Sequence, residues 1–407
     1  MKNLNITFLI LAVLALGVVD RDAVCQAPIS IDLSAQEASS EGTMEGVSLQ
    51  RSGVYKTKGV HQLNGLLWKS DVLCRPAENN SYYLPIVANG AVYFVCQSSN
   101  SRGNGIGGWN FYSDDYVYAL DLKTGKQNWK VQMKESAFSS LAIAGSTVYF
   151  GSNTGYFGNE GGVFFALDAQ TGQEKWSYKL KKKNLASASP AVANGAVYFR
   201  DMVGNLYALD TQTGKLIWSF NSKGELTVAA VFDGKVYFGD SKGSVYGVDA
   251  KTGEQIWKFD APKPLGDPVI SDGLVYLGDK EGNFYALDAT NGKQVARSKL
   301  PHKIGTFFAT LDATIYYGGS TENLYAVEAK TGKEKWTFKN GKACETPVIA
   351  DGTVYFSCYD GSLYALNAKT GTQEWKAESK LFLSYTPAVV NETIYFARSD
   401  GRVYALR

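Results

Sequence analysis

Apolar and polar residues alternate along this chain in short runs, not at helical spacing. PAVANGAVYFRDMVGNLYAL (Pro190–Leu209) and TPVIADGTVYFSCYDGSLYAL (Thr346–Leu366) each hold runs of β-branched and aromatic residues broken by Asn-Gly or Asp-Gly. Alternation with a period of two marks half-buried strands, and Asn-Gly or Asp-Gly between two such runs marks a tight hairpin. A further run ends in Trp and follows Thr-Gly, whose glycine supplies a left-handed turn position. Each unit therefore predicts four antiparallel strands: A (PAVA), B (AVYF), C (LYALD) and D (the run ending in Trp). No window carries a 3.6-residue apolar period, and 42 glycines in 407 residues argue further against a helical repeat.

The C–D portion recurs to the last residue. YALDLKTGKQNW (Tyr118–Trp129) is followed by FALDAQTGQEKW, YALDTQTGKLIW, YGVDAKTGEQIW, YALDATNGKQVA, YAVEAKTGKEKW, YALNAKTGTQEW and a final YALR. The Asp position falls at 121, 168, 210, 249, 288, 328, 367 and 407, steps of 39 to 47 residues. Four strands per forty-residue unit describe a propeller blade, and eight units an eight-bladed ring. The fold class expected is all-β, an eight-bladed β-propeller of four-stranded antiparallel blades. The last unit stops at strand C, while Asn64-Gly65-Leu66-Leu67-Trp68-Lys69 resembles the end of a unit and precedes blade 1. The N-terminal segment is thus expected to supply the outer strand of blade 8, closing the ring and removing an open edge.

Lys2 followed by FLILAVLALGVV reads as a secretory signal, too short to span a membrane, with cleavage expected after Ala27. Cys25 raises a lipid anchor as an alternative, although Asp22-Ala23-Val24-Cys25 is a poor acylation motif. Residues 28–50, rich in Ser, Glu and Gln, predict a flexible leader, and 51–407 a single propeller domain. The expected location is exported, periplasmic or extracellular. A net charge of +2 from 41 basic and 39 acidic residues provides no footprint for nucleic acid. The one charge run, Lys179 with Lys181, Lys182 and Lys183, reads as a solvated loop.

Beyond Cys25 the chain has Cys74, Cys96, Cys344 and Cys358, an even number in an exported protein. Folding the A–B hairpin about Asp351-Gly352 places residue 345 opposite Cys358, next to Cys344. Cys96 holds the place of Cys358 in blade 1, and Cys74, like Cys344, follows the Trp of the preceding strand D. The repeated relation predicts two disulfides, Cys74–Cys96 and Cys344–Cys358; four buried thiols are the alternative.

In an up-and-down blade the A–B and C–D turns share one face, here called the turn face, and the B–C and D–A connections share the loop face. The turn face is uniform. The loop face varies: the B–C loop of blade 1 is Gln97–Asp115, QSSNSRGNGIGGWNFYSDD, and blade 2 carries SNTGYFGNEGG at Ser152–Gly162. Variable loops on a regular scaffold are where binding usually resides. Trp109, Phe111, Tyr112, Tyr156 and Phe157 are the contact candidates; packing on each other to cap blades 1 and 2 is the alternative. Strand A should line the channel, with Leu84, Ser139, Ser189, Val228, Asp267, Phe307, Thr346 and Thr386 near its mouth. Asp267 and Glu345 form the best acid–base candidate there, yet the set is no catalytic constellation. His61 and His302 form no metal motif, and no nucleophile elbow, P-loop or dinucleotide fingerprint is present.

The pattern Ala-x-Asp-x-x-Thr-Gly-x-x-x-Trp resembles the tryptophan-docking repeat of the PQQ-like β-propellers, a family holding both quinoprotein alcohol dehydrogenases and the outer-membrane assembly factor BamB. The resemblance covers residues 51–407. It implies that Trp129, Trp176, Trp218, Trp257, Trp336 and Trp375 pack against neighbouring blades, with Trp68 closing the ring; blade 5 departs, with Ala296. Enzymatic members resemble one another in greater length, adjacent cysteines beside the cofactor, and carboxylates with an Asn on calcium. This chain has no Cys-Cys pair and looks more like the smaller, non-catalytic branch. The resemblance implies no enzymatic activity, no cofactor or metal, and a scaffold binding protein partners of the cell envelope, with membrane association only through a partner or a lipid anchor. A glycan or small-ligand propeller is the alternative, and a PQQ-dependent oxidoreductase a third.

Overall fold

The computed structural model describes the chain from Val54 to Arg407 apart from residues 56–59, 64, 75–84, 97–98, 104–108, 114, 134–135, 138–139, 154–160, 182–183, 185, 301–307, 319–321, 379–382, 391 and 399. Eight sheets built on four antiparallel strands stand in a ring, each ordered A-B-C-D along the chain except the last; in blade 2 the short strand Ser136–Ala137 also pairs with strand B. In that last sheet Leu66–Lys69 lies outside Val403–Leu406, pairing Leu66 with Leu406 and Lys69 with Tyr404, so the N-terminal strand closes the ring.

The hairpins follow from local chemistry. Ala88 pairs directly with Ala91, leaving Asn89 and Gly90 as a two-residue turn with φ of 51° and 72°. Both central residues are left-handed, the turn type whose twist suits flanking strands and which Asn-Gly tolerates best. Asn194-Gly195, Asp233-Gly234, Asp272-Gly273 and Asp351-Gly352 repeat it.

Strands B and C are buried along nearly their whole length, whereas strand D alternates. Trp218 in Leu216–Asn221 is buried while Leu216, Ile217 and Ser219 are exposed. Strand D is therefore the outer strand, with one buried side chain at its centre.

Both disulfides form, Cys74–Cys96 with Cα atoms 5.6 Å apart and Cys344–Cys358 at 3.9 Å. The local register differs by one residue from simple hairpin counting. Val348 pairs with Tyr355 as the turn dictates, but Cys344 itself stands opposite Cys358. The slip falls at Glu345–Pro347, and blade 4 makes the same slip at Thr227–Ala229, where Leu226 stands opposite Asp240 while Ala230 pairs with Tyr237. One further strand, Val54–Tyr55, lies parallel to strand A of blade 7, pairing with Ile349 and Ala350 on its channel side.

Candidate functional site

The repeated Asp-x-x-Thr-Gly…Trp pattern builds the seams between blades. In blade 1 the Asp121 carboxylate accepts hydrogen bonds from the backbone N–H groups of Lys123 and Thr124 at 3.2 and 2.8 Å and from the Thr124 hydroxyl at 2.7 Å. The Thr124 hydroxyl bond leads the contacts that hold this carboxyl below its ordinary pKa. The turn then places Gly125 at φ 68°, where a Cβ would stand 2.3 Å from the ring of Trp68 in blade 8. Glycine is required there for its left-handed φ and also to let the indole lie flat on the turn.

Each indole N–H next donates to a carbonyl of the following blade. Trp129 donates to Ala169 O at 3.0 Å, Trp218 to Ala250 O at 3.0 Å and Trp257 to Ala289 O at 3.1 Å. The same carbonyls accept the hydroxyl of a buried strand-B tyrosine: Tyr93 at Ala169, Tyr198 at Ala250 and Tyr237 at Ala289. Trp176, Trp336 and Trp68 donate likewise to Thr211, Ala368 and Leu122. Trp375 departs: its acceptor is Val60, from the segment preceding blade 1, at 2.7 Å. Sequence reasoning missed the tyrosine half of this arrangement, although Val-Tyr-Phe in strand B recurs as plainly as the Trp.

The loop face carries a second repeated device. The buried Asp240 accepts the N–H groups of Lys242 and Ser244 at 2.9 and 3.0 Å and the hydroxyl of Tyr246 at 3.1 Å. Asp201 does the same for Val203, Asn205 and Tyr207, and Asp279 for Glu281 and Asn283. Burial, with the neighbouring Asp201 carboxylate, pushes the Tyr207 phenol up to about 12. Blade 7 puts Cys358 where blades 3 to 5 have this acid, and its acid moves to Asp360, which accepts from Tyr364 at 2.6 Å. Blade 8 has Arg398 there, ion-paired to Asp400 at 3.1 Å. These acids clamp their own hairpins shut. The signal for them was the recurring Asp-x-x-Gly-x-apolar-Tyr of blades 3 to 5.

Blade 1 does otherwise. Its B–C connection leaves the blade as a separate two-stranded ribbon, Ser99–Gly103 against Trp109–Ser113, with Ser99 opposite Ser113 at the base and Gly103 opposite Trp109 toward the tip. Trp109, Phe111 and Tyr112 occupy one strand of that ribbon. The Cys74–Cys96 bridge pins strand B where the ribbon departs. Tyr156, Phe157, Phe307, Leu84, Ser139 and His302 lie outside the described residues, as do the expected signal and leader.

Asp267 and Glu345 are held on different blades. Asp267 accepts the backbone N–H of Val228 in blade 4 at 2.8 Å, and Glu345 accepts the hydroxyl of Tyr359 in its own blade at 2.8 Å. His61 sits on the turn face, its Nδ1 3.2 Å from Glu374 and its Nε2 3.7 Å from Asp351. Among the described residues no three His, Cys, Asp or Glu side chains converge as metal ligands.

A ring of eight four-stranded blades joined by Trp-on-Gly seams defines a PQQ-like repeat β-propeller. The chain belongs to the family described as outer membrane protein assembly factor BamB, whose profile matches residues 44–200, 166–306 and 280–407. Among solved structures it is similar to BamB from Moraxella catarrhalis, 20% identical over 83% of this chain and 97% of that one, with a TM-score of 0.62. It is also similar to a quinohemoprotein alcohol dehydrogenase from Pseudomonas putida HK5, 16% identical over 94% of this chain and 82% of that one, TM-score 0.67. A third is the computationally designed Ika8 protein, 16% identical over 84% and 99%, TM-score 0.64. Identities this low speak for the fold alone. No curated protein matches by sequence.

Proposed function

We propose that this protein is a non-catalytic, exported scaffold of the cell envelope that binds protein partners through the B–C and D–A connections of its loop face. The observation that carries the reading is the blade 1 ribbon, Ser99–Ser113, which stands where blades 3 to 5 are closed by buried Asp clamps. An excursion that pairs only with itself, outside the four strands of its blade, is where a regular scaffold usually places contact. Family membership supports the same direction, since the family description is of an outer-membrane assembly factor. The binding surface proposed comprises Trp109, Phe111 and Tyr112 of the ribbon, Tyr156 and Phe157 of blade 2, and Asp267, Phe307 and Glu345 at the channel mouth.

The test is affinity capture from the protein's own envelope, run beside a variant in which Gln97–Asp115 is replaced by a two-residue turn. Envelope proteins retained by the first and lost by the second, and then shown to bind the purified protein directly, are the expected result. Equal capture by both, with both folded, refutes the ribbon as the contact. Quenching of Trp109 emission by sugars, without any protein partner, would move the assignment to a glycan-binding propeller.

A further inference from the structure

At the seams following blades 1 to 4 and blade 6, the carbonyl that receives the Trp and Tyr donors belongs to the next blade itself, one residue after its strand C. At the seam between blades 7 and 8 a separate stretch of chain supplies it. Val60 is fully buried in the apolar cluster that holds Tyr355, Trp375 and Val389. Its carbonyl receives Trp375 at 2.7 Å and Tyr355 at 3.4 Å, and its N–H donates to the Tyr355 hydroxyl. These partners lie 315 and 295 residues away in sequence. Next to it, His61 reaches Glu374, whose carboxylate also accepts the hydroxyl of Thr353 at 2.9 Å.

Upstream, the same segment reads the sheet. Val54–Tyr55 adds to the inner edge of blade 7 in parallel register, Val54 against Ile349 and Tyr55 against Ala350, and Val54 packs on the cluster containing Ala309 and Leu311 of blade 6. Among the described residues, blade 7 is the blade whose inner strand carries a further strand on the channel side. Because that strand runs parallel to Val348–Ala350, toward the Asp351-Gly352 turn, it travels from the loop face to the turn face, where Val60 docks.

We propose that the inner edge of blade 7, together with the blade 7–8 seam, is a peptide-binding site. Its ligand class is an extended segment with a β-branched aliphatic residue at the seam, and the chain's own Val54–Tyr55 and Val60–His61 fill it. Main-chain pairing at Ile349–Ala350 and the paired donors Trp375 and Tyr355 read backbone, so affinity comes from strand addition, and the buried Val60 position selects the side chain. The segment is bound to the ring in the manner of a ligand and blocks the edge it covers. This site is independent of the loop-face reading.

The test inserts a specific protease sequence after Gln62 in the full chain, cuts it, and passes the product through gel filtration. The expected result is that the released segment stays with the ring. An isotope-labelled synthetic peptide of residues 51–62 should then replace it saturably, and the same peptide carrying Val60→Asp should bind at least about tenfold more weakly. Loss of the segment on cutting, with amide exchange at Ile349 and Ala350 and Trp375 emission unchanged, overturns the proposal. Should the cut ring lose its fold, the uncut Trp375→Phe variant decides. Faster amide exchange at Val60, with blades 3 and 4 unchanged, supports the site, and unchanged exchange at Val60 refutes it.

Discussion

The seams on either side of blade 5 differ chiefly at the centre of strand D, where one has Trp257 and the other Ala296, with Ser298 also replacing Phe259. Between blades 4 and 5, Trp257 lies on Gly292, where a Cβ would stand 2.5 Å from the ring, and donates to Ala289 O. Between blades 5 and 6 the same strand position holds Ala296, and the equivalent Gly332 faces Ser298 and the Lys299 carbonyl. Both glycines have φ of 70°. The backbone of the turn is therefore the same whether or not an indole rests on it, with Gly292 donating to Asp288 O and Gly332 to Glu328 O, both at 2.8 Å. The glycine is set by the hairpin first and exploited by the seam second, and the ring tolerates one seam without its central side chain.

The largest effect expected is from Trp257→Ala, which removes an indole, its hydrogen bond and its packing on the next blade. Urea unfolding should show a loss of about 3–5 kcal/mol, the range for deleting a buried Trp. A loss below 1 kcal/mol would mean that the tyrosine half of the seam carries it alone. Next come the paired glycines. Gly332→Ala should cost the left-handed backbone term, about 1–2 kcal/mol, plus a small shift of Ser298 and the Lys299 carbonyl, which a Cβ would approach to 3.2 and 3.1 Å. Gly292→Ala must also displace the indole and should cost about 1–3 kcal/mol more. Equal losses at the two sites would refute the packing role given to Gly292.

Filling the empty seam is the reverse experiment. Ala296→Trp should raise stability by on the order of 1 kcal/mol, the scale of an added aromatic contact, visible as a higher Tm. A Tm that fails to rise would show that the seam between blades 5 and 6 is not the weaker one. The smallest effect concerns acid. Hydrogen bonds from the Thr252 and Lys251 backbone hold the Asp249 carboxyl below its ordinary value. A lowered native pKa stabilises the fold above the ordinary carboxylate range, and that contribution disappears as pH falls through the lowered value. Blade 7 uses Asn367 in the same turn, accepting from Lys369 and Thr370 at 3.1 and 3.2 Å. Asp249→Asn should thus leave the turn intact at pH 7 and slightly flatten the loss of stability between pH 5 and 2; an unchanged profile would remove Asp249 from the acid response.

Much of this molecule was legible in its sequence because its determinants are local. Asn-Gly and Asp-Gly fix the A–B turns, Asp-x-x-Thr-Gly the C–D turns, and period-two alternation the strands, each within a window of about ten residues. Repetition then fixes the blade number, and the unit split between the two ends of the chain fixes how the ring closes. The cysteine pairing was legible too, since blades 1 and 7 state the same relation twice.

What only the tertiary structure decided is how distant segments meet. The one-residue slip that sets Cys344 opposite Cys358 arises where strand A leaves the ladder between Cys344 and Val348, as it does between Leu226 and Ala230 of blade 4, and turn counting does not contain it. The blade 1 loop pairs with itself as a ribbon, and Asp267 is spent on the backbone of blade 4. The pairing of Val54–Tyr55 with the inner edge of blade 7 and the docking of Val60 in the last seam have no local signature, because a main-chain carbonyl can be supplied by any residue. Side-chain patterns reveal what a segment buries; only the assembled ring shows which backbone groups remain for another segment to satisfy.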